Sequence, residues 1–275
     1  MPKMKKNNNA ILLSTPYILW MVAFTLIPLG VVAYYALTDP ATGAFSLTNV
    51  KDLGMYWGVL WQSILYSLVS ALICLILGYP VAYYIAHRSP LMQKMLYMLV
   101  MLPMCMSFLL RTLAWVGLLQ DTGIINGLLE AAGFGRVQLI RTPGAVVLGM
   151  VYNYLPYMIL PLYATIVKID KRLIEAAEDL GCNGVQTFQK VTLPLSMPGI
   201  LSGITMVFVP AVSTFYISQK LGGTDTVLIG DVIERLFKQG NNANLGAALS
   251  LVLMALVFVC TGIMNRFGGD EEVIV

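Results

Sequence analysis

At 275 residues, with 58% hydrophobic and only 11% charged residues, the chain carries less than half the charge of a soluble domain, for which roughly 25% is usual. Its formal net charge of +3 is scattered over loops and termini, which gives no support to a nucleic-acid partner. A mean hydropathy of +0.77 points instead to an integral membrane protein.

Lys3, Lys5 and Lys6 precede the first apolar run, as in a signal peptide. That run, from Ile11 to Leu37, is too long for a signal-peptide core and is followed by no small-residue cleavage site, so a retained helix is expected. Long apolar runs of about 20 residues mark membrane helices. Six are expected, at 12–37, 61–86, 94–119, 144–167, 195–218 and 245–265. The architecture predicted is all-α, with a tail at 1–11, a membrane domain over 12–266 and a second tail at 267–275. The tail carries Asp270, Glu271 and Glu272 and reads as a solvated end.

Placing the N-terminus inside puts most Lys and Arg residues near the inner helix ends, Arg88, Lys94, Lys168, Lys171, Arg172, Lys190 and Arg266 among them. Lys51, Arg136, Arg141, Lys220, Arg235 and Lys238 then fall in longer outer loops, where the bias is weak. Both termini are therefore expected in the cytoplasm.

The first outer loop carries turn chemistry at Asp39-Pro40 and Thr42-Gly43, and Trp57 and Trp61 suit the membrane interface. Pro80, in Gly78-Tyr79-Pro80, removes a backbone donor and predicts a kink in helix two. His87, the only histidine, has no carboxylate near it in sequence and reads as an interfacial residue. Helix three holds Arg111; a charge inside a span suggests function, while its place near the outer end equally allows snorkelling or pairing. A short surface helix is expected around Asn126–Ala132 in the outer loop that follows.

Helix four is dense in polar aromatics, with Tyr152, Tyr154, Tyr157 and Tyr163. Their hydroxyls need partners, supplied by neighbouring helices or by a wet path. Tyr152, Tyr154, Tyr157, Phe208, Phe215 and Tyr216, with Ser213 and Thr214, are the candidates for lining such a path; plain packing explains each of them as well. In helix five, Gly199 and Gly203 form a small-xxx-small pair that allows close helix approach. The last outer loop, Gln219 to Asn244, contains a short helix at Asp231–Lys238 and carries Asp225, Asp231 and Glu234, which suit either an external partner or a solvated surface.

Cys74, Cys105, Cys182 and Cys260 lack C-x-x-C spacing and read as buried hydrophobes, so no metal site is expected. Nothing resembles a nucleophile–base pair, and no catalytic residue is assigned. A Walker A pattern is also missing.

One segment breaks the apolar pattern. In 168–194, Leu173, Ala176, Ala177 and Leu180 recur at helical spacing, with Lys171, Arg172, Glu175, Glu178 and Asp179 on the other side. Asp170 can cap the helix start and Gly181 can supply the positive φ that ends it. The run is too charged and too short to span a bilayer.

Glu175-Ala176-Ala177, three residues, Gly181, nine residues, Val191, one residue, Leu193-Pro194 resembles the EAA loop of ABC-importer permeases, with valine where isoleucine is usual. The resemblance implies a type I permease fold with a hairpin that docks on an ATPase subunit. ATP and its magnesium would then be handled on separate chains, and this chain would bind no cofactor itself. Phe208 to Phe215, Leu221-Gly222-Gly223, Leu228 to Ile233 and Gly246-Ala247-Ala248 further resemble the first permease subunits of spermidine/putrescine importers. That likeness implies a second permease subunit, two ATPase subunits, an external polyamine-binding protein and a place in the bacterial inner membrane. Permeases for other solutes (an oxyanion, iron or a sugar) share parts of these motifs. A stand-alone secondary transporter is the other class, but no intramembrane acid and no clear inverted repeat supports it.

Overall fold

The computed structural model describes residues 8–39, 43–46, 49, 53–224, 226–238 and 242–268. The expected tails lie largely outside these, as do Pro40, Thr42 and Asp225. Among the described residues the chain is helical, and the one β-type pairing is an isolated bridge between Thr38 and Phe45. Contacts divide the chain into two units, 1–56 with 233–254, and 57–232 with 255–275.

In the first unit, α1 (Asn8–Met21) continues through a π-helical turn at Val22–Leu26 into α2 (Ile27–Ala36). The π turn ends two residues before Pro28. A proline ring crowds the carbonyl four residues earlier, and widening the ladder by one residue relieves that crowding. The stretch 15–36 is long and apolar enough to cross a bilayer. Ala36, Ala247 and Ala248 pack with Val32, Leu53 and Leu251. Asn49 and Asn244 both donate to the Thr38 carbonyl, at 2.9 and 2.6 Å, and so satisfy the backbone where α2 ends.

The second unit is built on three helices, α3 (Trp57–Ala86), α7 (Pro143–Ile166) and α11 (Met197–Val212). Small residues let them close. A Cβ on Gly203 would stand 2.6 Å from Met158 Sδ, one on Gly199 2.6 Å from Thr165 Oγ1, and one on Gly78 3.1 Å from Met158 Cγ. The Gly199/Gly203 pair therefore packs as its spacing predicts. Ser63, Ser67 and Ser70 line the buried face of α3, and the Ser63 and Ser67 hydroxyls return to carbonyls one turn back, at 2.8 and 2.7 Å. Polar atoms are thus satisfied without widening the contact.

The third expected span, 94–119, is not one helix. α4 (Pro90–Met101) tightens into a 3-10 turn at Leu102–Cys105, the backbone extends at Met106, and α5 (Phe108–Leu119) starts afresh. Pro103 supplies no N–H and disrupts the ladder at this point. Each 12-residue helix is about 18 Å long, short of a ~30 Å hydrocarbon core. α6 (Ile124–Ala131) follows after a short turn, and the stretch Phe108–Ala131 taken together is long and apolar enough to cross a bilayer.

Helix five also differs from a single span at 195–218. It is entered through α8 (Lys171–Asp179), α9 (Gly184–Thr187), a π turn at Phe188–Thr192 and α10 (Leu193–Leu195). The run 184–195 meets α11 at a bend of 62°. At its far end α11 stops at Val212, and α12 (Tyr216–Leu221) begins after a break. The chain that follows is packed, since Ile217, Leu221, Leu228 and Ile229 are fully buried. Gly149 on α7 makes room for Leu221 and Ile217, to which a Cβ there would lie 2.5 and 3.0 Å away. The loop returns to the first turn of α13 (Ile229–Lys238), whose Ile229 N–H donates to Ser63 Oγ at 2.8 Å. α14 (Ala243–Gly268) closes the chain.

Overpacking of a close helix contact costs about 1–3 kcal/mol. Gly203→Leu is therefore expected to lower the melting midpoint of the detergent-solubilised protein, while Gly30→Ala, inside α2 with nothing within 4 Å, leaves it unchanged or raises it slightly. Scanning fluorimetry with size-exclusion chromatography reads both.

Candidate functional site

The charged segment folds as a hairpin whose turns are set by local chemistry. Asp170 caps α8, its Oδ1 accepting the Arg172 N–H at 3.0 Å. The helix ends with the Cys182 N–H on the Ala177 carbonyl and the Gly181 N–H on the Glu178 carbonyl, at 3.0 and 2.9 Å. This nested pair needs a left-handed residue, and Gly181 has φ +85. Asn183 and Gln186 then cap α9 reciprocally, the Asn183 Oδ1 accepting from Gln186 N at 2.9 Å and the Gln186 Oε1 from Asn183 N at 3.1 Å. As before Pro28, the π turn ends two residues short of a proline, here Pro194.

Of the apolar stripe read from its spacing, α8 turns only Ala177 inward. Ala177 is buried and Ile174 partly so, whereas Leu173, Ala176 and Leu180 are exposed, Leu180 at 86%. Glu175 is exposed too, as are Val185 on α9 and Pro194, while Val191 and Leu193 are half-buried. The hairpin thus presents an apolar surface bordered by an acid. Its second limb is tied to α3, because the Phe188 ring meets the Tyr79 and Tyr83 rings edge-on, with centroids 5.5 and 6.1 Å apart. The Tyr79 hydroxyl lies 2.8 Å from Ser196 Oγ.

The candidate path residues separate into groups. Tyr154, Tyr157, Thr214 and Tyr216 come together. Tyr154 and Tyr157 rings are 6.3 Å apart, and Phe108 bridges Tyr154 and Tyr216 at 6.5 and 6.3 Å. The Tyr154 hydroxyl donates to the Pro210 carbonyl at 3.3 Å and lies beside Thr214. Tyr152 stands apart, edge-on to Trp115 at 5.4 Å, Phe208 is buried and Phe215 is largely exposed. Phe108 follows the break in helix three, and neither its place nor Trp115's has a sequence signal beyond ordinary apolar periodicity. Arg111, one turn on from Phe108, is 6% exposed and lies within electrostatic reach of the Tyr154 hydroxyl. Its Nε and Nη1 are buried without a hydrogen-bond partner among the described residues. A guanidinium left so is costly and suited to an acceptor brought by another molecule.

Of the outer-loop acids, Asp225 lies outside the described residues. Asp231, expected at the surface, is 3% exposed, and its Oδ2 accepts the Leu228 N–H at 2.9 Å, capping α13. Helix capping, not exposure, accounts for its position. Glu234 is partly exposed and pairs with Lys238 one turn on.

Residues 74–268 match the family described as "Binding-protein-dependent transport system inner membrane component". The chain is 40% identical over 250 residues, 86% of its own length and 87% of the relative's, to the "Spermidine/putrescine transport system permease protein PotB" of Haemophilus influenzae. It is 37% identical over 243 residues to the protein of the same name in Escherichia coli, covering 85% and 88% of the two chains. Among solved structures, a chain of a bacterial ABC transporter that imports the acidic polysaccharide alginate superposes with a TM-score of 0.74 at 20% identity, covering 96% of this chain and 95% of that one. A chain of the MetNI methionine ABC transporter gives 0.61 at 16% identity, over 78% and 96%. At these identities the structural likeness is one of fold.

The left-handed conformation at Gly181 costs a residue bearing a Cβ about 1–2 kcal/mol. Gly181→Ala is expected to speed amide exchange in α8 roughly 5–30-fold, against little change for Gly184→Ala. Hydrogen-exchange mass spectrometry distinguishes the two.

Proposed function

The chain belongs to the family of binding-protein-dependent transport system inner membrane components, and from that premise we propose that it is one permease subunit of an ATP-driven importer for polyamines. The observation that carries this reading is the 37–40% identity to spermidine/putrescine permeases over most of both chains. In this reading both termini lie in the cytoplasm, which puts the hairpin 168–194 on the side of the ATPases. A second permease subunit completes the path, two ATPase subunits supply the energy, and an external binding protein delivers the solute. This chain acts as conduit and lever, and hydrolysis takes place elsewhere.

The hairpin is the docking element. Exposed Leu173, Ala176 and Leu180 fill an apolar groove on the ATPase, and Glu175 adds a charged contact at its edge. Ala177, Gly181, Val191, Leu193 and Pro194 hold the hairpin in shape. Closing of the ATPase pair on ATP then moves the membrane helices through it.

Tyr154, Tyr157, Thr214 and Tyr216 are the inner part of the path on this chain, with Tyr152, Phe208 and Phe215 as its flanks. Aromatic faces attract ammonium groups without binding them tightly. The buried Arg111 disfavours a resting cation beside Tyr154, which suits a conduit that leaves specificity to the delivery protein. Asp225 and Glu234 are the contacts for that protein, and Asp231 shapes the loop that presents them.

Reconstituted with its partners, the complex is expected to hydrolyse ATP faster when the binding protein carries spermidine or putrescine. Stimulation by a sugar, amino acid or oxyanion alone would overturn the solute. Glu175→Lys is expected to abolish uptake while the chain still inserts, read by radiolabelled polyamine uptake and immunoblotting of membranes.

A further inference from the structure

A push on the hairpin reaches the membrane helices only through the backbone and side chains that tie the two together. The backbone route into α11 runs through the 62° bend at Ser196. Prolines on either side, Pro194 and Pro198, remove ladder hydrogen bonds there, so the bend is a hinge that would absorb a displacement instead of passing it on. What stiffens it comes from α3.

Ser196 is fully buried, and its Oγ donates to the Leu193 carbonyl at 2.9 Å, across the inside of the bend. Its single hydrogen is thereby used, so the 2.8 Å contact with Tyr79 has the tyrosine as donor. Eight residues earlier, Phe188 starts the π turn and sets its ring against both Tyr79 and Tyr83, which stand one turn apart on α3. One helix turn of α3 therefore grips the hairpin's second limb at two points, a ring contact below the bend and a hydrogen bond at it. Pro80 lies between the two tyrosines, where α3 lacks a backbone donor and yields most easily.

We propose that Tyr79, Phe188 and Ser196 form a clamp that holds the bend rigid and carries hairpin motion into α3. They are positioning residues for transport, and the assignment rests on the reading of the hairpin as the ATPase-docking element. With the clamp intact, hairpin, bend and α3 move together. Without it the hinge flexes, and ATP is hydrolysed with little movement of the path.

The test uses the full complex in proteoliposomes with its binding protein, and reads solute moved per ATP hydrolysed alongside the amount of assembled complex. Tyr79→Phe keeps the ring and removes the donor, and Ser196→Ala removes the acceptor. Each is expected to lower the ratio roughly two- to tenfold, the change that corresponds to one neutral hydrogen bond, with assembly and basal hydrolysis retained. The double variant is expected to be no worse than Ser196→Ala alone, because that change already removes the bond to Tyr79 along with the one to the Leu193 carbonyl. Phe188→Leu is expected to lower the ratio as well. A normal ratio in Tyr79→Phe and Ser196→Ala beside a collapsed one in Glu175→Lys overturns the clamp alone. A normal ratio in Glu175→Lys overturns the docking role of the hairpin and the clamp with it.

Discussion

Met158 lies fully buried on α7 between two glycines, Gly78 of α3 and Gly203 of α11. The rest of the second unit depends on that contact. Lipid tails are as apolar as the side chains, so helices gain little from hiding them from one another, and close packing has to hold the helices together. An unbranched thioether fits a gap that a branched side chain would not. Once α3, α7 and α11 are held this closely, the buried serines of α3 find partners within reach, Ser63 and Ser67 on carbonyls of their own helix and Ser70 on Met150 Sδ of α7 at 3.3 Å. The polar work is left to the two ends of the bundle.

Those ends are built differently. At one, short helices are turned by prolines and fixed by caps, so the shape of the hairpin owes little to the core beneath it. At the other, the chain between α11 and α13 is folded back against α7 and buries Ile217, Leu221 and Leu228. A rigid centre with a self-capped lever at one end and a packed loop at the other suits a subunit that moves as a body more than one that flexes throughout.

Much of this is legible in the sequence itself. Long apolar runs located most of the helices, the paired glycines of helix five marked the close contact, and Asp170 and Gly181 took up the capping roles that their chemistry suits. The break in helix three was harder to see because Leu102 to Met106 is apolar in any register, and hydropathy does not distinguish a bent crossing from a straight one. Spacing also finds the amphipathic character of α8 and Ala177 on its apolar side, but not that Ile174 turns inward while Leu173 and Leu180 stay exposed, since these side chains compete on equal terms. Asp231 looked like a surface acid because its capping partner, the Leu228 N–H, needs a geometry that composition does not encode. The grip of Tyr79 and Tyr83 on Phe188 joins residues far apart in the chain, and no local pattern announces it.

The exposure of Leu173, Leu180 and Val185 also bears on how the protein is made. Burying an aliphatic side chain of this size is worth about 1.5–3 kcal/mol, and the hairpin holds several in view, kept there by caps that stop it from folding over to hide them. On the reading of the hairpin as the ATPase-docking element, a subunit synthesised in excess of its ATPase would carry an adhesive tip into the aqueous phase, open to aggregation and to quality-control proteases. Balanced production of the subunits would then be a structural requirement on the cell, set by a few side chains that the isolated chain cannot shelter.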